Sequence, residues 1–132
     1  MSNELTPFNI YSTYVVCDSF GIATPIAVSA TFWQDLEHQF GNFSGKSLIS
    51  CFTLERDWDT WEMHPAGDEF VCLLSGDVEL ILEQESTVNT IRLDEPGSFA
   101  LVPRGTWHTA KARSPSSMLF VTPGGGTQNK PV

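Results

Sequence analysis

Positive charge is scarce in this sequence: seven Lys and Arg stand against 16 Asp and Glu, a formal net charge of -9. A field of that sign repels phosphate backbones and anionic lipid, so neither nucleic acid nor a membrane is expected as a partner. No apolar run approaches the ~20 residues that cross a bilayer. The start, Met1-Ser2-Asn3-Glu4, lacks the basic residues and apolar core of a secretion signal. Cysteine is sparse and odd in number. Cys17, Cys51 and Cys72 are scattered through apolar surroundings, which argues against a disulfide framework and for reduced packing residues in a cytoplasm. Internal repeats and a domain-dividing linker are also missing, and 132 residues suit one domain with one core.

What is present is a succession of short strand-like segments. Residues 8–16, with Phe8, Ile10, Tyr11, Tyr14, Val15 and Val16, predict a first strand, and Asp18-Ser19-Phe20-Gly21 a turn. The period then changes. Phe32, Trp33, Leu36 and Phe40 fall on one helical face, so residues 32–40 are predicted to form the one short helix, with Thr31 and Gln34 as a capping box and Gly41 as the stop. Trp33 is expected in the helix–sheet core, and His38 on the solvated face. Gly41-Asn42-Phe43-Ser44-Gly45-Lys46-Ser47 has the wrong glycine spacing for a phosphate loop and reads as a connection into a strand over 48–55.

Further strands are predicted at 70–74, 78–82, 90–93, 99–102, 107–112 and 118–121. Ser75-Gly76-Asp77 is expected to join the first two of these as a hairpin. Clean alternation over 78–82 marks one wet face, whereas 70–74 and 99–102 are apolar on both faces, as in a sheet covered on two sides. Such spacing argues for an all-β barrel or jelly roll. The expected organisation is residues 1–46 as an N-terminal strand and short helix packing on a barrel, 47–122 as the barrel, and 123–132 as a flexible, glycine-rich tail.

Chemistry concentrates in Trp61-Glu62-Met63-His64-Pro65-Ala66-Gly67-Asp68-Glu69, which sets two carboxylates and an imidazole around a Pro–Gly bend. Residues two apart in a strand share a face, so Glu62 and His64 point the same way, and Glu69 opens the strand beyond the bend. Asp68 faces away from Glu69 and is expected to stabilise the turn. A second stretch, Gly97 to His108, ends an apolar run in a Pro-x-Gly turn followed by a single His.

With these two stretches the sequence resembles the cupin superfamily. Its first motif runs His-x-His, four residues, Glu, six residues, Gly; here Glu62-x-His64, Glu69 and Gly76 stand in that frame. Its second runs Gly, five residues, Pro-x-Gly, two residues, His, three residues, Asn; here it reads Gly97, Pro103, Gly105 and His108, with Ala112 in place of the Asn. Glu62 replaces the first His, and Arg56 the Gly six residues ahead of it. The resemblance implies a double-stranded β-helix with a pocket at the barrel mouth, and a homodimer that covers an open sheet edge.

In that frame Glu62, His64, Glu69 and His108 converge on the interior, a donor set suited to one divalent Zn, Fe, Mn or Ni ion. The bland alternative is a polar network without metal, with Glu62 paired to Arg104 or Lys111 and Glu69 anchored by backbone amides. Two functions are carried forward: a metal-dependent dioxygenase or isomerase acting on a small organic substrate, and a non-catalytic ligand-binding or sensor barrel with a vestigial metal site. A metal-free epimerase with His64 or His108 as base is a third. Trp58, Trp61 and Trp107 flank the motifs, either as core or as stacking surfaces at the pocket rim.

Overall fold

A computed structural model describes residues 5–132; the residue 1–4 start considered above lies outside the described residues. The chain runs β1 (Thr13–Cys17), β2 (Ala23–Ala27), α1 (Phe32–Phe40), β3 (Ser47–Leu54), β4 (Thr60–Met63), β5 (Glu69–Ser75), β6 (Val78–Gln84), β7 (Thr87–Leu93), β8 (Phe99–Val102), β9 (His108–Ala112), β10 (Ser116–Pro123) and β11 (Gln128–Pro131). Two antiparallel sheets face each other, in the orders β2-β1-β3-β10-β5-β8 and β11-β4-β9-β6-β7. Their facing sides bury Val71, Leu73, Val78, Leu80, Ala110 and Met118 completely. Each such Leu or Val contributes about 2 kcal/mol from the water it leaves.

A second cluster, Tyr14, Val16, Ile26, Phe32 and Leu48, sits under α1. Phe32 is the buried anchor of that helix, while Trp33, expected in the core, is largely exposed. The capping box does not form. Thr31 Oγ1 instead donates to Asp35 Oδ2 at 3.0 Å, and the Gly41 amide closes the helix on Glu37 O at 2.8 Å.

Other expectations need correction too. The first strand begins at Thr13, because Asn9 folds the preceding residues into a turn by accepting from the Tyr11 amide at 2.9 Å. The N-terminal part supplies two strands, and β1 continues the larger sheet by pairing with β3.

Ser75-Gly76-Asp77 is no hairpin: β5 and β6 lie in different sheets, and the turn carries the chain across the barrel edge. Gly76 makes that crossing at φ 106°, where a Cβ would overlap Ser116. The hairpin is β6–β7, closed by Glu85 and Ser86 with Gln84 opposite Thr87.

Nor is 123–132 a free tail. Gly124 packs so closely on Phe43 that a Cβ would collide with the ring. Its amide donates to Lys46 O at 2.8 Å, and β11 then pairs with β4, placing Asn129 opposite Glu62. Glycine richness was the signal for disorder; here it is the condition for close approach.

The outer face of the larger sheet is apolar from strand to strand. Val15, Ile49, Val121, Phe70 and Leu101 form one cross-strand row, and Cys51, Leu119, Cys72 and Phe99 the next. Phe70 and Phe99 stack with centroids 4.9 Å apart, and Phe99 and Leu101 are more than half exposed. The double-sided cover expected for 99–102 is therefore missing on one side of the single chain. Among the described residues no helix is long and apolar enough to cross a membrane.

Candidate metal centre

The two motif stretches are tied to each other through their turns. The Arg104 amide donates to Asp68 Oδ1 at 2.8 Å and the Gly105 amide to His64 O at 3.0 Å. Asp68 thus serves the bend, as its position on the opposite side from Glu69 predicts. The lacing brings the rings of His64 and His108 to 5.3 Å between centroids, and β4–β9 pairing sets Glu62 directly opposite His108. Glu69 arrives from the other sheet.

All four residues singled out in the sequence therefore meet. Single donor atoms of Glu62, His64 and His108 lie within 4.8 Å of one another. Glu69 Oε1 is 3.1 Å from His108 Nε2, and its Oε2 is 3.4 Å from His64 Nε2. Glu62 Oε1 lies 3.7 Å from His64 Nε2. His64, Glu69 and His108 are buried and Glu62 is about one-third exposed, at 32%. Neither Arg104 nor Lys111 pairs with Glu62.

The far sides of these groups are held. His108 Nδ1 donates to the Thr106 carbonyl at 3.0 Å, so in the neutral ring Nε2 carries a lone pair toward the cluster. His64 Nδ1 meets Thr127 Oγ1 at 2.9 Å. Thr122 Oγ1 donates to Glu69 Oε2 at 2.6 Å, a side-chain anchor rather than the backbone amides considered above. Three buried atoms remain without a hydrogen bond: His64 Nε2, Glu69 Oε1 and His108 Nε2. The imidazole–carboxylate contacts are close, but not aligned as N–H···O bonds.

Charge in the cluster is correspondingly perturbed. Burial opposes ionisation of Glu69, yet His108 and His64 beside it hold its pKa down, to about 2. Burial likewise works against charge on His108, but Glu69 outweighs it and pushes the imidazole up. Burial and then the charge of Glu69 push the Glu62 carboxyl up, with the two imidazoles opposing.

A cavity of about 460 Å³ opens from the cluster. Trp33 and Leu36 of α1, Phe43, Phe52, Trp58 and Phe120 wall it, and Gly124 to Thr127 cover one side. Trp58 is thus the flanking tryptophan that reaches the cavity. Trp107 and Trp61 instead hold Lys130 of β11, whose Nζ is 4.5 and 5.8 Å from their ring centres. Thr122, Thr127 and Asn129 were missed in the sequence. A hydroxyl two residues before a glycine run carries no motif, and a segment read as tail offers no partner.

No protein-family model matches the sequence, and comparison with curated proteins gives no match. Solved structures do match. Hydroquinone 1,2-dioxygenase from Sphingomonas sp. TTNP3, with 4-hydroxybenzoate bound, aligns at TM-score 0.52 and 22% identity, over 61% of this chain and 60% of that one. An oxalate oxidase aligns at TM-score 0.52 and 13% identity, over 61% of this chain and 44% of that one. A cupin-2 domain protein from Shewanella frigidimarina NCIMB 400 aligns at TM-score 0.49 and 18% identity, over 58% and 70%. The chain therefore spans less than two thirds of the dioxygenase and under half of the oxalate oxidase. These likenesses concern the fold, and one barrel hosts many chemistries. Two facing antiparallel sheets, a site at their junction and both motif frames in register give this chain the double-stranded β-helix fold of the cupin superfamily.

Proposed function

We propose that Glu62, His64, Glu69 and His108 hold one divalent metal ion, Zn, Fe, Mn or Ni, and that the chain is a metal-dependent dioxygenase or isomerase of a small organic substrate. The observation that carries this reading is the set of three buried, unpartnered donor atoms facing one another beside Glu62. A buried polar atom without a partner costs about 1–3 kcal/mol, and a shared cation relieves all three at once. The donor types fit: two imidazoles with carboxylates suit first-row divalent metals.

The metal supplies Lewis acidity, or a redox centre for oxygen chemistry, when bound. The chain's own residues set its surroundings. Thr106 and Thr127 fix the two rings, Thr122 fixes Glu69, and the apolar walls exclude water from the ligand. Glu62, the most exposed of the donors that line the cavity, is placed to exchange a proton with a bound molecule.

Metal analysis of untagged protein purified without chelator tests the site. About one equivalent is expected, and no metal even after reconstitution would overturn it. A vestigial site in a ligand-binding barrel is the second reading. It is favoured by the imidazole–carboxylate contacts, which together with the Thr122 bond offer a partial metal-free network. The apolar outer rows support a homodimer packed through the larger sheet, and the three unpaired cysteines support a reducing compartment such as the cytoplasm.

A further inference from the structure

The charge of the cavity sorts its ligands. Its ionisable lining groups are Glu62, Glu69 and His64; among the described residues no Lys or Arg lines it. Five aromatic side chains (Trp33, Phe43, Phe52, Trp58 and Phe120) make up much of the wall. An apolar cavity of ~150 Å³ already accepts a benzene ring, so about 460 Å³ has room for one or two rings bearing small substituents. Aromatic faces recognise ring faces by offset or edge contacts. The other polar side chains of the lining, Ser50, Thr122, Thr127 and Asn129, are uncharged.

The two carboxylates cancel the charge of a divalent ion, whereas a third imidazole at position 62 would leave one positive charge on the centre. With both acids of the lining already balancing the ion, a neutral centre in an apolar cavity returns little for the water a carboxylate gives up. Without metal the two imidazoles face Glu69, and Glu62, the more exposed carboxylate, stands nearest an incoming anion.

We infer that the cavity takes an uncharged, ring-bearing small molecule, and that Glu62 is the residue that turns away carboxylate-bearing ones. This substrate class rests on the metal-site reading for its role in turnover, but the exclusion of anions holds in metal-free protein as well.

Benzamide and benzoate form a test pair of nearly equal shape and different charge. Indole N–H signals of the four tryptophans, followed by NMR during titration at mildly alkaline pH, report where each probe binds. Benzamide is expected to bind at least tenfold more tightly than benzoate, in metal-free and zinc-treated protein alike, with shifts at Trp33 and Trp58 beyond those at Trp61 and Trp107. E62Q, compared metal-free, is expected to narrow the ratio severalfold. Equal or tighter benzoate binding, absence of benzamide shifts at Trp33 and Trp58, or an unchanged ratio in E62Q would each overturn the inference. If the preference persists while zinc fails to bind, the metal site fails and the ligand class stands.

Discussion

Glu69 Oε1 and His108 Nε2 face each other at 3.1 Å, both buried and neither hydrogen-bonded. His108 gives its Nδ1 proton to the Thr106 carbonyl, so a neutral ring would set a lone pair against a carboxylate. Only a proton or a cation between them makes the contact favourable.

Replacing His108 by Ala removes a donor and leaves Glu69 buried beside a void. Metal content is expected to fall from about one equivalent to near zero. Metal-free stability is expected to drop by about 3 kcal/mol, the usual cost of stranding one partner of a buried pair. Elemental analysis and urea unfolding check the two parts separately. Stoichiometric metal in both this variant and His64→Ala would show the site to lie elsewhere.

The pH dependence of metal-free protein has two limbs. Glu69, lowered to about 2, stabilises the fold fully above its unfolded value of 4.5, and that contribution is lost as pH falls toward 2. The shift corresponds to roughly 3 kcal/mol. His108, raised from 6.5, stabilises below that value, and its contribution disappears as pH rises through the folded pKa. Melting temperature should therefore decline on the acid side below 4.5 and again on the alkaline side above 6.5. Zinc should abolish the alkaline decline, because a coordinated ring is neutral in any case. A flat alkaline limb without metal would contradict the imidazolium.

Removing residues 124–132 deletes β11, the Gly124 contact with Phe43 and the Thr127 bond to His64. With each net hydrogen bond worth about 1 kcal/mol, a loss of about 3 kcal/mol is expected. Calorimetry of the shortened chain measures it. Unchanged melting would restore the flexible tail expected from composition.

Leu101→Glu places a charge in the exposed row beside Phe70. If the larger sheet packs on a second copy, this substitution should yield monomers with an unchanged far-ultraviolet spectrum, because Leu101 is not part of the core. Light scattering after size exclusion decides. A variant with the parent's dimeric mass would move the interface to another face.

The motif frame located His64, Glu69, Gly76 and His108 because it encodes turn geometry: Pro103, Gly105 and Gly97 are needed whatever the barrel holds. The short helix was legible from its 3.6-residue period, and β6 from alternation. Sheet membership was not. Ser75-Gly76-Asp77 looks locally like any tight turn, and only the Cβ-free space beside Ser116, a residue 40 positions away, makes it a crossing between sheets. The same limit hid β11 and the residues that buttress the site. Thr122 and Thr127 act on Glu69 and His64 through contacts 53 and 63 residues apart, and nothing in their own neighbourhoods marks them.

The segment that covers the cavity, Gly124 to Thr127, follows every residue of the cluster in the chain. During synthesis the imidazoles and carboxylates emerge first, and the partner that steadies His64 follows 63 residues later. Until Gly124 settles on Phe43 and β11 pairs with β4, the cluster stays open to the surrounding solution. Cover of the cavity is therefore the last part of the barrel that the emerging chain can complete.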